Sequence, residues 1–137
     1  MSLPVYTPSY NIKTELNVRF VAVIADATLT NGCKLPAAFA TDKVIGVTQD
    51  LGTGATSTKP MPVAVARAGR TWLKMLASST GSAGDYIKLG ANTGYGAKAT
   101  LPGDAALTFA RALSDWESGS AGDECEVEVE LMLQVAS

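Results

Sequence analysis

The 137-residue chain contains no histidine. That absence removes the commonest general base and the commonest transition-metal ligand, and with them most of the case for a Ser-His-Asp hydrolase or a metalloenzyme. Cysteine is almost as scarce. Cys33 and Cys125 are too few and too far apart for a disulfide framework or a zinc site, and they read as buried free thiols, with pairing in three dimensions left open. Long apolar runs are missing too: the most apolar stretch, FVAVIADATL, is short and interrupted by Asp26. The N-terminal MSLPVYTPSYNIKTEL has no basic start followed by an apolar block, so synthesis in the cytosol and no membrane partner are expected. Basic residues are absent from 112–137, which hold seven acids (−7), whereas residues 1–111 hold all 11 Lys/Arg against six acids (+5). An acidic segment of that kind repels nucleic acid, so no nucleic-acid partner is expected.

What is present is apolar material for a core, 47% of residues, punctuated by 13 glycines and six prolines spread between short apolar runs. This is the composition of an all-β chain with many turns, folding as one small domain with at most one short helix. Residues 1–17, with Pro4 and Pro8 among Tyr6, Thr7, Ser9 and Tyr10, suit an extended N-terminal arm, either a docking segment or a first edge strand. The β-rich domain proper is expected over 18–137. Strands are expected at VRFVAVIA (18–25), KVIGVTQ (43–49), PVAVARAG (62–69) running into TWLKML, YIKLG, the return after Asn92-Thr93-Gly94, and ALTFARALSD (106–115). KLPAAFA (34–40) fits either a helical turn or an irregular crossing. Gly46 interrupts its strand where a neighbour comes close. In ECEVEVELMLQV (124–135), Glu124, Glu126, Glu128 and Glu130 alternate with Cys125, Val127, Val129 and Leu131, giving one wet face and one core face.

VIGVTQDLGTG (44–54) laid over FARALSDWESG (109–119) matches Asp50 to Asp115 and Gly54 to Gly119, with Leu51 and Trp116 in equivalent places. Two strand-loop-strand units, 44–66 and 109–130, are therefore expected, each needing the other to bury its apolar face. Leu51 and Trp116 then sit at loop tips, as interface anchors or as lids folded onto the core, while Trp72, inside a strand, is expected in the core. The carboxylates of the Glu ladder project in parallel and do not converge on a cation, so no metal site is expected. Their natural partners are Arg67, Arg70 and Lys74, across strands or on another subunit. GTGATS (52–57) does not fit the spacing of a phosphate-binding loop, and no G-x-S-x-G or S-x-x-K appears; neither enzyme chemistry nor a cofactor is expected.

From Gly32 through Leu131 the chain resembles the capsid cement, or decoration, proteins of tailed bacteriophages, the broad group that includes lambda-like head-stabilising proteins. The resemblance rests on GCKLPAAFATDKVIGVTQD, PVAVARAG, AGDYIKLG and FARALSDWESGSAGDECEVEVEL. It implies a barrel or tulip-like β domain, commonly trimeric, that sits on the outer surface of a virion and clamps major capsid protein subunits together, with an N-terminal arm reaching across the shell. On that resemblance, Val5, Tyr6, Tyr10, Leu51 and Trp116 are the expected capsid-binding residues. Arg67, Arg70, Lys74, Glu124, Glu126, Glu128 and Glu130 are the expected interface between copies, with the basic region meeting the acidic strand head to tail in a ring. Two other classes remain open at this point: a different virion part, such as a head-fibre base or tail-tube component, and a carbohydrate-binding module using Tyr6, Tyr10, Tyr86, Tyr95 and Trp116.

Overall fold

The structure is a computed structural model describing residues 7–77, 79–117 and 126–132. Among them the chain is mainly β, with no helix of seven residues or more. The strands are β1 (Ser9–Ile12), β2 (Ala22–Asp26), β3 (Gly32–Lys34), β4 (Gly46–Thr48), β5 (Met61–Ala66), β6 (Arg70–Lys74), β7 (Thr80–Gly81), β8 (Tyr86–Leu89), β9 (Gly96–Lys98), β10 (Ala110–Ala112), β11 (Trp116–Glu117) and β12 (Glu126–Leu131). A single 3₁₀ turn, Ala105–Leu107, precedes β10.

The first five strands close into a barrel in the order β1-β3-β2-β4-β5, with β1 antiparallel to β5. The next group forms a five-stranded sheet, β6-β12-β10-β8-β9, and β7 pairs with β11. A parallel bridge between Met75 and Gly96, with the Leu76 N–H donating to the Gly96 carbonyl at 2.8 Å, draws the end of β6 toward β9 and rolls the second sheet. A Cβ at Gly96 would lie 2.8 Å from both Ile87 Cγ2 and Leu73 Cδ2 inside the roll, so these core side chains would have to shift to admit one.

The Val-Ala alternation of β2 and β5 explains how the two halves join. Val21, Val23, Val63 and Val65 fill the barrel with Ile12, Leu16 and Cys33. The intervening Ala22 and Ala66, with Val47, face outward and share a second core with Leu73, Met75, Ile87, Val127 and Val129. Strands buried on both faces carry continuous apolar runs, with small residues on the side where another sheet approaches.

The structure corrects some expectations and decides between the alternatives left by others. The extended N-terminal segment is a barrel strand from Ser9 onward: Ser9, Tyr10, Asn11 and Ile12 lie in register with Ala64, Val63, Pro62 and Met61. A boundary at residue 17 therefore cuts through the barrel. The strand expected at 18–25 begins at Ala22, because Phe20 takes a left-handed backbone (φ 65°) and spends its N–H on the Thr48 carbonyl and its carbonyl on the Lys74 N–H. KLPAAFA is the irregular crossing, its Ala37 and Ala38 N–H groups both bound by the Asp42 carboxylate. Residues 106–115 divide into the 3₁₀ turn and the short β10.

Both echoed units are antiparallel strand pairs, β4 with β5 and β10 with β12. Their registers differ by one step, Val47 opposite Ala66 in one and Ala112 opposite Val129 in the other.

Candidate functional site

Trp72, expected in the core, lies on the surface, and Trp116 takes the lid position, one of the two expected for it. Trp116 is 5% exposed. Its indole lies over Gly81, where a Cβ would collide with the ring, and its Nε1 donates to Ser79 Oγ at 3.0 Å. It is a lid folded onto the core, the second of the two places expected for it, and so not an exposed loop-tip side chain; a glycine facing it on β7 leaves the space the ring needs. Trp72 is 46% exposed on the outer face of β6, while Thr71 and Leu73 turn inward. The inward Thr71 hydroxyl accepts a hydrogen bond from Gln49 Nε2 at 2.8 Å, which makes a polar residue tolerable there.

Of the other residues expected to bind a capsid, Leu51 is exposed and Tyr10 is half-buried against the barrel core. Val5 and Tyr6 lie outside the described residues, as does Glu124. The structure sets Lys74 opposite Glu126, Trp72 opposite Glu128 and Arg70 opposite Glu130, with Arg111 on the far side of Glu130. Lys74 Nζ and Glu126 Oε2 are 3.0 Å apart, a contact within one chain. Arg67 does not meet the ladder: its Nε donates to the Ile45 carbonyl at 3.1 Å, pinning the approach to β4.

Sequence reading missed a set of loop clamps. Each of the six described aspartates accepts a backbone N–H: Asp26 from Thr28, Asp42 from Ala37 and Ala38, Asp50 from Ala64, Asp85 from Ser82, Asp104 from Thr100 and Asp115 from Ala83. The signal was available, since aspartate among Gly, Ser and Thr favours side-chain-to-backbone turns. Three clamps adjoin exposed apolar side chains. Asp42 holds the loop carrying Phe39, whose own N–H donates to Asn92 Oδ1 at 2.9 Å. Asp50 precedes Leu51, and Asp104, salt-bridged to Lys88 at 2.9 Å, holds the loop carrying Leu101 and Leu107.

Asp26 is the most buried of the six, at 3% exposure. Hydrogen bonds from the Thr28 hydroxyl and N–H hold its carboxyl below the usual 3.8; burial opposes this, and the charges of Lys13 and Lys34 add to it. Its Oδ2 has no hydrogen-bond partner and lies 3.8 Å from Lys13 Nζ, so an ammonium already faces the site. Asp26→Ala strands the Thr28 N–H and should cost about 1–3 kcal/mol. Because folding lowers this pKa, the carboxylate's contribution is complete above the ordinary aspartate range and disappears as pH falls through the depressed folded value. Thermal unfolding measured across acid pH should show wild type and variant converging at low pH; a constant gap would contradict it.

Cys33 is buried beside this turn, and burial, helped by the negative Asp26, pushes its thiol up to about 12. That leaves a packing group with almost no thiolate at neutral pH. Among the described residues no three His, Cys, Asp or Glu side chains are grouped to hold a metal ion, and no helix is long and apolar enough to cross a membrane.

Compared with known proteins, the chain matches no family model and no curated protein.

Proposed function

We propose that this protein is a virion structural component that binds the outer surface of a bacteriophage capsid through the major capsid protein and cements the shell as a homo-oligomer, three copies being what the sequence resemblance implies. The observation that carries this reading is the pairing of aspartate clamps with exposed apolar side chains. Phe39, Leu51, Leu101 and Leu107 stand on loops whose backbones are tied down by Asp42, Asp50 and Asp104. Apolar contacts held in place before binding lose little conformational freedom on docking, which is what a passive attachment surface requires. Groups so arranged need no reaction partner. Binding only to the assembled lattice stabilises it by mass action, and many equivalent sites multiply a modest contact.

The test is co-sedimentation with expanded capsids of the phage that encodes this chain, followed by heating. Added protein should bind and raise the temperature at which the shells disrupt. Phe39→Ser combined with Leu101→Ser should weaken binding with little change in the protein's own unfolding temperature. Absence of binding to those capsids would overturn the proposal.

A further inference from the structure

On the outer face of the second sheet, β6 and β12 stand side by side with opposite charge. Row by row, Arg70 meets Glu130, Trp72 meets Glu128 and Lys74 meets Glu126. Beyond Glu128, the Leu113 N–H donates to the Glu128 carbonyl at 2.8 Å, so the strand alternation puts half-buried Leu113 on the other flank of that row from Trp72. Arg111 closes the Glu130 row. Of these charges, Lys74 and Glu126 pair directly; among the described residues no ion pair forms at Arg70, Arg111, Glu128 or Glu130. A tryptophan 46% exposed thus occupies the middle of a two-column charge pattern.

We propose that this face binds a second copy of the chain across a two-fold axis running along the strands, midway between β6 and β12. Such an axis lays β6 of each copy over β12 of the other and preserves the rows. Arg70 then faces the second copy's Glu130, Lys74 faces the second copy's Glu126, and the two Trp72 rings lie next to each other, offset by about one strand spacing of 4.8 Å. The same operation laid along the β10–β12 boundary keeps one charge match, Arg111 with Glu130, but sets Leu113 against Glu128 and leaves Arg70 and Lys74 unused. The contact is isologous: one patch is its own complement, and the assembly closes at two. Tryptophan at the centre with charges around it is the usual distribution of binding energy in such a contact. The pairing takes over Arg70, Lys74 and the glutamates that the sequence reading gave to a head-to-tail ring, so a three-copy ring, which needs two different patches, would have to use other surfaces; the pairing itself requires no capsid.

Sedimentation velocity on the full chain tests it. Wild type should sediment as a dimer at high concentration, and Trp72→Ala should weaken association by about thirtyfold or more. Because Trp116 is buried in either state, any blue shift of tryptophan emission with rising concentration belongs to Trp72. Two charge variants sharpen the test: R70E/K74E makes the face acidic, and E126K/E128K/E130K makes it basic. Each alone should be monomeric, and an equimolar mixture should form the dimer. Circular dichroism checks their folding; if either fails to fold, Trp72→Ala and the emission shift decide. A monomeric wild type, an oligomer indifferent to Trp72→Ala, or folded charge variants that do not associate when mixed would each overturn the pairing. Capsid binding is read separately, so a dimer that ignores capsids overturns only the cement function.

Discussion

Trp116→Ala should lower stability by about 3–5 kcal/mol, the cost of emptying a large aromatic site that its surroundings only partly refill. The ring is 5% exposed, sits over Gly81 and joins the core shared by Leu73, Ile87 and Val129. Trp116→Phe should lose less, mainly the Nε1 hydrogen bond to Ser79, a net effect of about 1 kcal/mol, plus some buried area. Urea unfolding curves of the three proteins check the order. A Trp116→Ala protein with the wild-type midpoint and no affinity for capsids would return this residue to the surface role that its place after Asp115 first suggested.

Gly46→Ala should cost about 3 kcal/mol or more, at the upper end of overpacking effects. A Cβ at Gly46 would run into Val65 Cγ1 and the Ala66 carbonyl oxygen. The first could turn aside; the second is backbone of the neighbouring barrel strand, so β4 must move away from β5 to admit a single methyl group. Gly54 supplies the control. It has a positive φ of 78° and nothing within 4 Å of its missing side chain, so Gly54→Ala carries only the conformational penalty, about 1–2 kcal/mol. Equal destabilisation at the two sites would mean that the barrel wall is looser than its geometry implies.

The fold class, most strands and the close approach at Gly46 were legible because they follow from local alternation and glycine punctuation. In β12 the pattern is nearly unbroken, and its faces divide as the glutamates and valines predict. The role of β1 was not legible, since its partner β5 lies some fifty residues on and four residues of a Pro-containing segment carry little pattern of their own. The outward place of Trp72 had a readable sign: Trp72 shares its parity with Lys74, whereas Thr71, Leu73 and Met75 share the other. Size and hydrophobicity alone assign Trp72 to the core; the bond that lets Thr71 face inward comes from Gln49, just past the end of β4, and is invisible in the local sequence. Similarly, the echo aligns β4 and β5 with β10 and β12, but β11 intervenes only in the second unit, and the echo treats Leu51 and Trp116 as equivalents. One is exposed and the other covered, because only Trp116 has a glycine waiting opposite it.

Charge was read correctly as composition and only partly as placement. Arg70 and Lys74 stand beside the Glu ladder, but Arg67, only three residues before Arg70, reaches the barrel instead, because the chain turns at Gly69 (φ 85°) between them. The aspartates were overlooked as a group because four act within their own loops while Asp50 and Asp115 reach Ala64 and Ala83 elsewhere in the chain, and only the structure reveals the shared device.

The position of β12 between β6 and β10 sets a timetable for manufacture. A polypeptide emerging from the ribosome holds all five barrel strands once β5 is out, but its second sheet lacks its middle until Glu126 to Leu131 arrive. A message cut short before that point therefore leaves β6 and β10 without the strand that joins them. Inner faces bearing Leu73 and Ile87 would then be bare, giving quality-control proteases an obvious handle on every incomplete copy.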